Sequence, residues 1–182
     1  MIFLDTVDST NSYLKKLARD GAPSGTAVVA DSQTGGRGRM GHSFSSPVGG
    51  IYLSYLMHPE TSPEITTHLT MWTAVTIRRV IEEYCGVKAD IKYVNDLLYQ
   101  GKKLCGILVE LCEENLVIGI GLNVNANPMP EIACSLAEIT GQKLDVPRLT
   151  ELLVAALDAQ SADWPDGGDR QKEYDRDVLK QI

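Results

Sequence analysis

Between Ala89 and Asn125 short apolar runs alternate with brief turns, and this succession limits the possible folds more than any other feature of the chain. Ala89–Val94, Leu97–Tyr99, Lys103–Leu111 and Leu116–Asn125 read as strands. Asn95-Asp96, Gln100-Gly101-Lys102 and Glu113-Glu114-Asn115 read as the turns between them. Connections this short join antiparallel neighbours, so the segment is a meander. Gly106, Gly119 and Gly121 interrupt its strands. A glycine inside a strand marks close approach by a ligand or by another stretch of backbone, and three in adjacent strands strengthen that reading.

Upstream, residues 2–7 read as a strand and Asp8-Ser9-Thr10-Asn11 as the entry to a helix whose apolar face carries Tyr13, Leu14, Leu17 and Ala18. An N-cap from Asp8 or Ser9 satisfies that helix's orphan amides. Ser9, Thr10 and Asn11 also suit a pocket at the helix N-terminus, and the two roles are compatible. Thr26–Asp31 and Ile51–Met57 read as further strands. Between them lies Gln33-Thr34-Gly35-Gly36-Arg37-Gly38-Arg39-Met40-Gly41-His42, with four glycines and two arginines. It is longer than most hairpin connections, which favours function over mere linkage. Glycine lets a ligand approach the main chain, and arginine offers a forked cationic donor, so the loop suits capture of a small anion. Gly36 to Gly41 formally fits G-x-G-x-x-G, but that motif must open a helix. The residues that follow, Ser43 to Gly50, cannot form one. There is no P-loop motif either.

A long helix is expected from Ser62-Pro63-Glu64 to about Tyr84, with Ile65, Leu69, Trp72, Thr76, Val80 and Tyr84 on one face and Gly86 as its C-cap. Trp72 reads as core. A short helical turn is expected over Ser135 to Thr140, and a helix over Pro147 to Ala159 with Leu149, Leu152, Leu153, Ala156 and Leu157 along one side. Ser161 to Gly168 is polar and breaker-rich, and a last helix is expected from Asp169 to Lys180.

The 182 residues suffice for one domain with a proper core, and the formal charge of −7 argues against non-specific nucleic-acid binding. No apolar run approaches the ~20 residues that cross a bilayer, so no membrane partner is expected. Cys85, Cys105, Cys112 and Cys134 lack metal-binding or disulfide spacing, and the N-terminus lacks a signal-peptide pattern. Reduced cysteines in a cytoplasmic protein is the reading. His42, His58 and His68 show no metal-ligand spacing.

Several of these segments together resemble the catalytic domain of biotin protein ligases. The resemblance rests on Asp8–Asn11, Gln33 with Gly36–Gly41, Lys92-Tyr93-Val94-Asn95-Asp96, Lys103–Glu110 and Gly119–Asn125, in that order. It implies an α+β fold with a mixed, largely antiparallel sheet flanked by helices, as in class II synthetase-like biotin/lipoate ligase domains. It also implies conversion of biotin and ATP to biotinyl-5′-AMP, then transfer of biotin to a lysine of a biotin carboxyl carrier protein. Ser9, Thr10, Asn11, Gln33, Arg37, Gly38, Arg39, Lys103, Gly106 and Gly119 would bind biotin. Arg39, Phe44, Lys92, Asn95 and Asn123 would serve the nucleotide. Arg37, Arg39, Lys103 and Asp96 would act in catalysis, with Asp96 also holding Mg²⁺. His42 stands where the family usually has Arg, Phe44 and Tyr93 where it has Trp, and Val94 where it has Pro. The family's N-terminal helix-turn-helix and C-terminal small β-barrel have no counterpart in these residues, so one catalytic domain over 1–182 is expected. A homodimer through strand edges is a further implication.

The physical logic agrees with the resemblance. Joining a carboxylate to a phosphate brings two anions together, and Arg37, Arg39, Lys103 and Mg²⁺ would offset the repulsion. No Ser-His or Cys-His constellation points to a covalent enzyme intermediate. Three other readings stay open: lipoate or octanoate transfer on the same fold, a biotin-binding module without ligation, and a ligase that forms adenylate but transfers it poorly.

Overall fold

The computed structural model describes residues 1–59, 66–164 and 169–178. The expected helix start at Ser62-Pro63-Glu64 with Ile65, residues 165–168, and the helix end at Lys180 lie outside them. Among the described residues seven strands form one sheet in the order β1-β2-β3-β7-β6-β5-β4. They are β1 (Ile2–Val7), β2 (Ala27–Gln33), β3 (Ile51–Met57), β4 (Asp90–Lys92), β5 (Asp96–Tyr99), β6 (Lys102–Cys112) and β7 (Asn115–Leu122). Only β1 and β2 pair in parallel; the other neighbours are antiparallel, and the α+β expectation holds.

Among the described residues five helices flank the sheet: α1 (Thr10–Arg19), α2 (Thr66–Cys85), α3 (Leu136–Thr140), α4 (Val146–Ala162) and α5 (Arg170–Val178). Ser9 caps α1, its Oγ accepting from the Ser12 amide at 3.4 Å, which selects between the two expected capping residues. Ser135 and Glu138 make a reciprocal capping box on α3, and Asp145 caps α4 ahead of Pro147. No described helix is long and apolar enough to cross a membrane.

Side chains alternate between the faces of a strand, and here the alternation separates core from site. Ile51, Leu53, Tyr55 and Met57 of β3, and Leu116, Ile118, Ile120 and Leu122 of β7, join Leu69, Trp72, Ile77, Leu149 and Leu153 in the main core beneath α2 and α4. The opposite face carries Leu56, Val117 and Cys112, which pack against Leu14 and Ala18 of α1. The same parity puts Ser54, Gly119, Gly121, Gly106 and Glu110 on the α1 face, where α1 does not reach all of them. Gly119 stands opposite Ser54 on one side and Leu108 on the other, and Gly121 stands opposite Gly106.

Two boundary differences bear on the site. β4 ends at Lys92, the turn occupies 93–95, and Asp96 already begins β5. The cause is pairing: Lys92 faces Asp96 across the hairpin, which leaves three residues for the turn. β7 ends at Leu122; the Asn123 backbone N–H still meets the Leu104 carbonyl in register, and the Asn125 N–H then leaves the ladder for Gly49.

Candidate functional site

The loop between β2 and β3 folds over the α1 face of the sheet and encloses a cavity of about 300 Å³. Gly36 is needed where the loop turns inward, since a Cβ there would collide with the Phe44 carbonyl. Phe44 N–H donates to Gly36 O at 2.9 Å, and Gly38 N–H donates to His42 O at 2.7 Å, so the arginine-bearing tip is a closed turn. Arg39 to Gly41 make one short 3-10 turn with Met40 at positive φ. No helix opens there, so a dinucleotide fold is excluded by structure as it was by sequence.

Ser9, Thr10, Asn11, Gln33, Arg37, Gly38, Arg39, Phe44, Asn95, Asp96, Lys103, Gly106 and Gly119 all line this one cavity, although they come from six separate stretches of chain. Lys92 and Asn123 do not. Lys92 is exposed on β4. Asn123 is buried and spends both amide hydrogens on backbone, donating to Lys103 O at 3.3 Å and Cys134 O at 3.1 Å. Its place is structural, fixing the strand that carries Lys103.

Part of the cavity lining is a network of hydroxyls and amides. Thr10 N–H and Oγ1–H both donate to Gln33 Oε1, at 2.9 and 3.1 Å, and Gln33 Nε2 donates to Ser46 Oγ at 2.8 Å. Ser54, fully buried beneath them, contacts Thr10 Oγ1 at 2.8 Å and Asn11 Oδ1 at 2.5 Å. A Cβ at Gly119 would strike the Asn11 amide. The close approach expected at the strand glycines is therefore made by the protein's own side chains: Asn11 lies on Gly119, and the Phe44 ring lies on Gly121 and against Gly106.

The same cavity also carries cations. Lys103 Nζ sits 5.5 Å from the Phe44 ring centroid and 2.8 Å from Asp96 Oδ1. The ammonium is off the direction a hydrogen bond needs, so that buried oxygen has a charge partner but no hydrogen bond. Arg37, about half exposed, reaches Glu110 Oε2 at 3.3 Å, while Arg39 projects from the loop tip. Three cations facing one lining carboxylate, on a chain of net charge −7, concentrate positive potential in the cleft.

Sequence reasoning passed over two contributors. Glu110 was quoted without a role, yet it accepts from Lys15 Nζ at 2.7 Å and Asn11 Nδ2 at 2.8 Å. Burial raises its pKa, but those hydrogen bonds and the charges of Lys15 and Arg37 outweigh burial and hold it below the usual carboxylate value. Ser54 gave one signal, a small polar side chain among the large apolar and aromatic ones of Ile51–Met57. Among the described residues no group of three or more His, Cys, Asp or Glu could hold a metal by itself. Asp96 stands alone beside the cations, which suits Mg²⁺ arriving with phosphates and held by one or two carboxylates.

Comparison with known proteins agrees with this geometry. The family model for the biotin/lipoate A/B protein ligases matches residues 3–127. The bifunctional ligase/repressor BirA of Bacillus subtilis is 37% identical over 176 residues, covering 90% of this chain and 54% of that protein. This chain thus spans about half the length of that curated relative. In structure it resembles the biotin protein ligase from Aquifex aeolicus in complex with biotin and ATP, with TM-score 0.88, 32% identity, and coverage of 98% of this chain and 78% of that one. The biotin protein ligase from Leishmania major in complex with biotinyl-5-AMP superposes with TM-score 0.82 at 26% identity, covering 100% of this chain and 82% of that one. With sequence, fold and cavity in agreement, the chain belongs to the biotin/lipoate A/B protein ligase family.

Proposed function

We propose that this chain activates biotin with ATP, forming biotinyl-5′-AMP, and passes the biotinyl group to a lysine of a biotin carboxyl carrier protein. One observation carries the reading: a single cavity is lined both by the hydroxyls and amides of Thr10, Asn11 and Gln33 and by the cations Arg37, Arg39 and Lys103. A vitamin with a polar ring and a carboxylate matches both sets of groups. The likeness to ligases bound to biotin and ATP, or to biotinyl-5-AMP, supports the same assignment.

In this reading Ser9, Thr10, Asn11, Gln33 and the backbone at Gly38 hold the ring, with Gly119 and Gly106 giving the Asn11 amide and the Phe44 ring the space to shape the pocket. Lys103 and Arg37 draw the carboxylate toward the α-phosphate and offset the repulsion between the two anions. Positioning and charge then supply most of the rate. Phe44 offers an aromatic face to adenine, and Asn95 lines the same cavity. Asp96 would hold Mg²⁺, which when bound neutralises phosphate charge. Arg39 and the loop over the cavity shield the mixed anhydride from water. The carrier lysine attacks the acyl carbon as a free amine and AMP departs. The cytoplasm, where the carboxylase substrate resides, is the compartment proposed. Pairing of two copies through the outer edge of β1 remains a proposal for sedimentation velocity to measure.

Isothermal titration with biotin, followed by pyrophosphate release with biotin plus ATP, tests the assignment. Biotin should bind, and pyrophosphate should appear only when both substrates are present. Equal turnover with lipoate in place of biotin would give the site to the other branch of the family, and binding without pyrophosphate release would make it a binding module.

A further inference from the structure

Four oxygens form a line within the hydroxyl-and-amide network. Ser54 Oγ lies 2.5 Å from Asn11 Oδ1 and 2.8 Å from Thr10 Oγ1, and Thr10 Oγ1 lies 3.1 Å from Gln33 Oε1. The outer two are amide oxygens, which only accept; the inner two are hydroxyls with one hydrogen each. Three contacts therefore share two hydrogens. In every arrangement one pair of oxygens meets with no proton between them.

The shortage lasts only while both amides keep their orientation. Gln33 is held by the Thr10 backbone N–H, which needs an acceptor at 2.9 Å. Asn11 is held from its far side, where Nδ2 donates to Glu110 Oε2 at 2.8 Å and to the Leu108 carbonyl at 3.3 Å. A reversed Asn11 amide would give Ser54 an N–H and end the shortage. It would also set Oδ1 against a carbonyl and a carboxylate, neither of which can donate. Lys15 at 2.7 Å and Arg37 at 3.3 Å keep that carboxylate charged.

We infer that Glu110 is a positioning residue for ligand choice: it fixes the Asn11 amide oxygen toward the pocket floor, leaves the floor one hydrogen short, and so selects a head group that donates N–H. Asn11, Thr10 and Gln33 line the cavity, so such a ligand has access to them. An N–H given to Asn11 Oδ1 or Gln33 Oε1 supplies that outer oxygen with a donor, so the two hydroxyl hydrogens suffice for the other two contacts. A cyclic urea brings two N–H groups, whereas a dithiolane ring brings none. The inference rests on the biotin reading above and adds to it a residue that does not line the cavity.

The test is calorimetric titration of the full chain with biotin and with an isostere carrying ring oxygens in place of both ureido N–H groups. Wild type is compared with Glu110→Gln and with the swap Glu110→Gln/Asn11→Asp. Wild type should prefer biotin by about a hundredfold, the scale of buried polar atoms left unpaired. Glu110→Gln should compress that ratio by about tenfold, because a neutral amide tolerates either orientation of Asn11. The swap restores an acceptor-only group at position 11 facing a donor at position 110, and should return the ratio to within about threefold of wild type. A Glu110 that served stability alone would weaken both ligands equally, and an unchanged ratio in Glu110→Gln would overturn the inference. So would a folded swap variant that fails to recover the ratio. A wild-type chain binding both ligands alike would overturn it without any variant, which covers the case of a substitution that prevents folding. If wild type binds neither and releases no pyrophosphate with biotin and ATP, the biotin reading falls and takes the inference with it.

Discussion

Glu173 and Asp177 on α5 face the guanidiniums of Arg78 and Arg79 on α2, whereas Glu110 on β6 faces an ammonium, a guanidinium and an amide. Both clusters hold carboxylates ionised against partial burial. In the first, charge meets charge and the result is a clamp between two helices. In the second, the carboxylate's inability to donate is passed through Asn11 to Ser54, Thr10 and Gln33, and the result is a donor pattern in a pocket. The same chemistry thus supports a fold at one place and a ligand preference at another. The difference lies in what stands behind the cations: apolar core beside α2, and a cavity beside β6.

The largest expected effect separates the cavity's cations from the clamp's. Lys103→Ala should lower biotin-dependent pyrophosphate release by about a hundredfold or more, the scale of one lost charge-stabilising donor, with little change in melting temperature. Normal release would remove Lys103 from the reaction. Arg78→Met should do the reverse: a loss of about 1–3 kcal/mol in denaturant unfolding, from two carboxylates left without their shared partner, and biotin affinity close to wild type. A fall in affinity there would erase the distinction between the clusters. Gly119→Ala belongs between them, because its methyl would press on the Asn11 amide. It should cost about 1–3 kcal/mol as overpacking and also weaken biotin binding, both readable by titration and thermal melting of one sample. Arg39→Ala should increase leakage of biotinyl-adenylate several-fold, about one lost loop contact's worth, in a filter-release assay; unchanged leakage would count against the loop as a lid.

The smallest effect concerns acid. The Asp177 carboxyl is held down to about 2, from an ordinary 3.8, by its hydrogen bond from Arg176 and then by Arg78. Glu173 is also lowered, the hydrogen bonds and charges of Arg79 and Arg78 outweighing burial. A depressed folded pKa means the contribution is complete above the unfolded value and is lost as pH falls through the folded one. The α2–α5 clamp should therefore keep its full strength above about pH 4.5 and weaken from there down to about pH 2. Melting temperature against pH should show this slope in wild type, and a shallower one in Arg78→Met.

Much of the site was legible before folding was considered. Gly119 and Gly121 are two apart, and Gly106 shares parity with Glu110, so alternation alone puts each pair on one face of its strand. The paired arginines and glycines of 36–41 marked the loop that lines the cavity. Lys92 and Asn123 were less readable, because a motif gives their order but not their outlet. Asn123 faces the carbonyls of Lys103 and Cys134, twenty and eleven positions away, and a contact between distant segments leaves no periodic trace.

By itself, then, the sequence determined the approximate strand and helix positions, a helix cap at Asp8 or Ser9, the antiparallel meander, and a cationic glycine loop between two strands. These follow from short-range causes: period-two burial, orphan amides, and the backbone freedom of glycine. Tertiary structure alone decided that Asn11 lies on Gly119, Phe44 on Gly121, and Glu110 behind Asn11. Those pairings depend on where α1 and the 33–46 loop settle on the sheet, and that is fixed by packing across about a hundred residues of chain rather than by any local run.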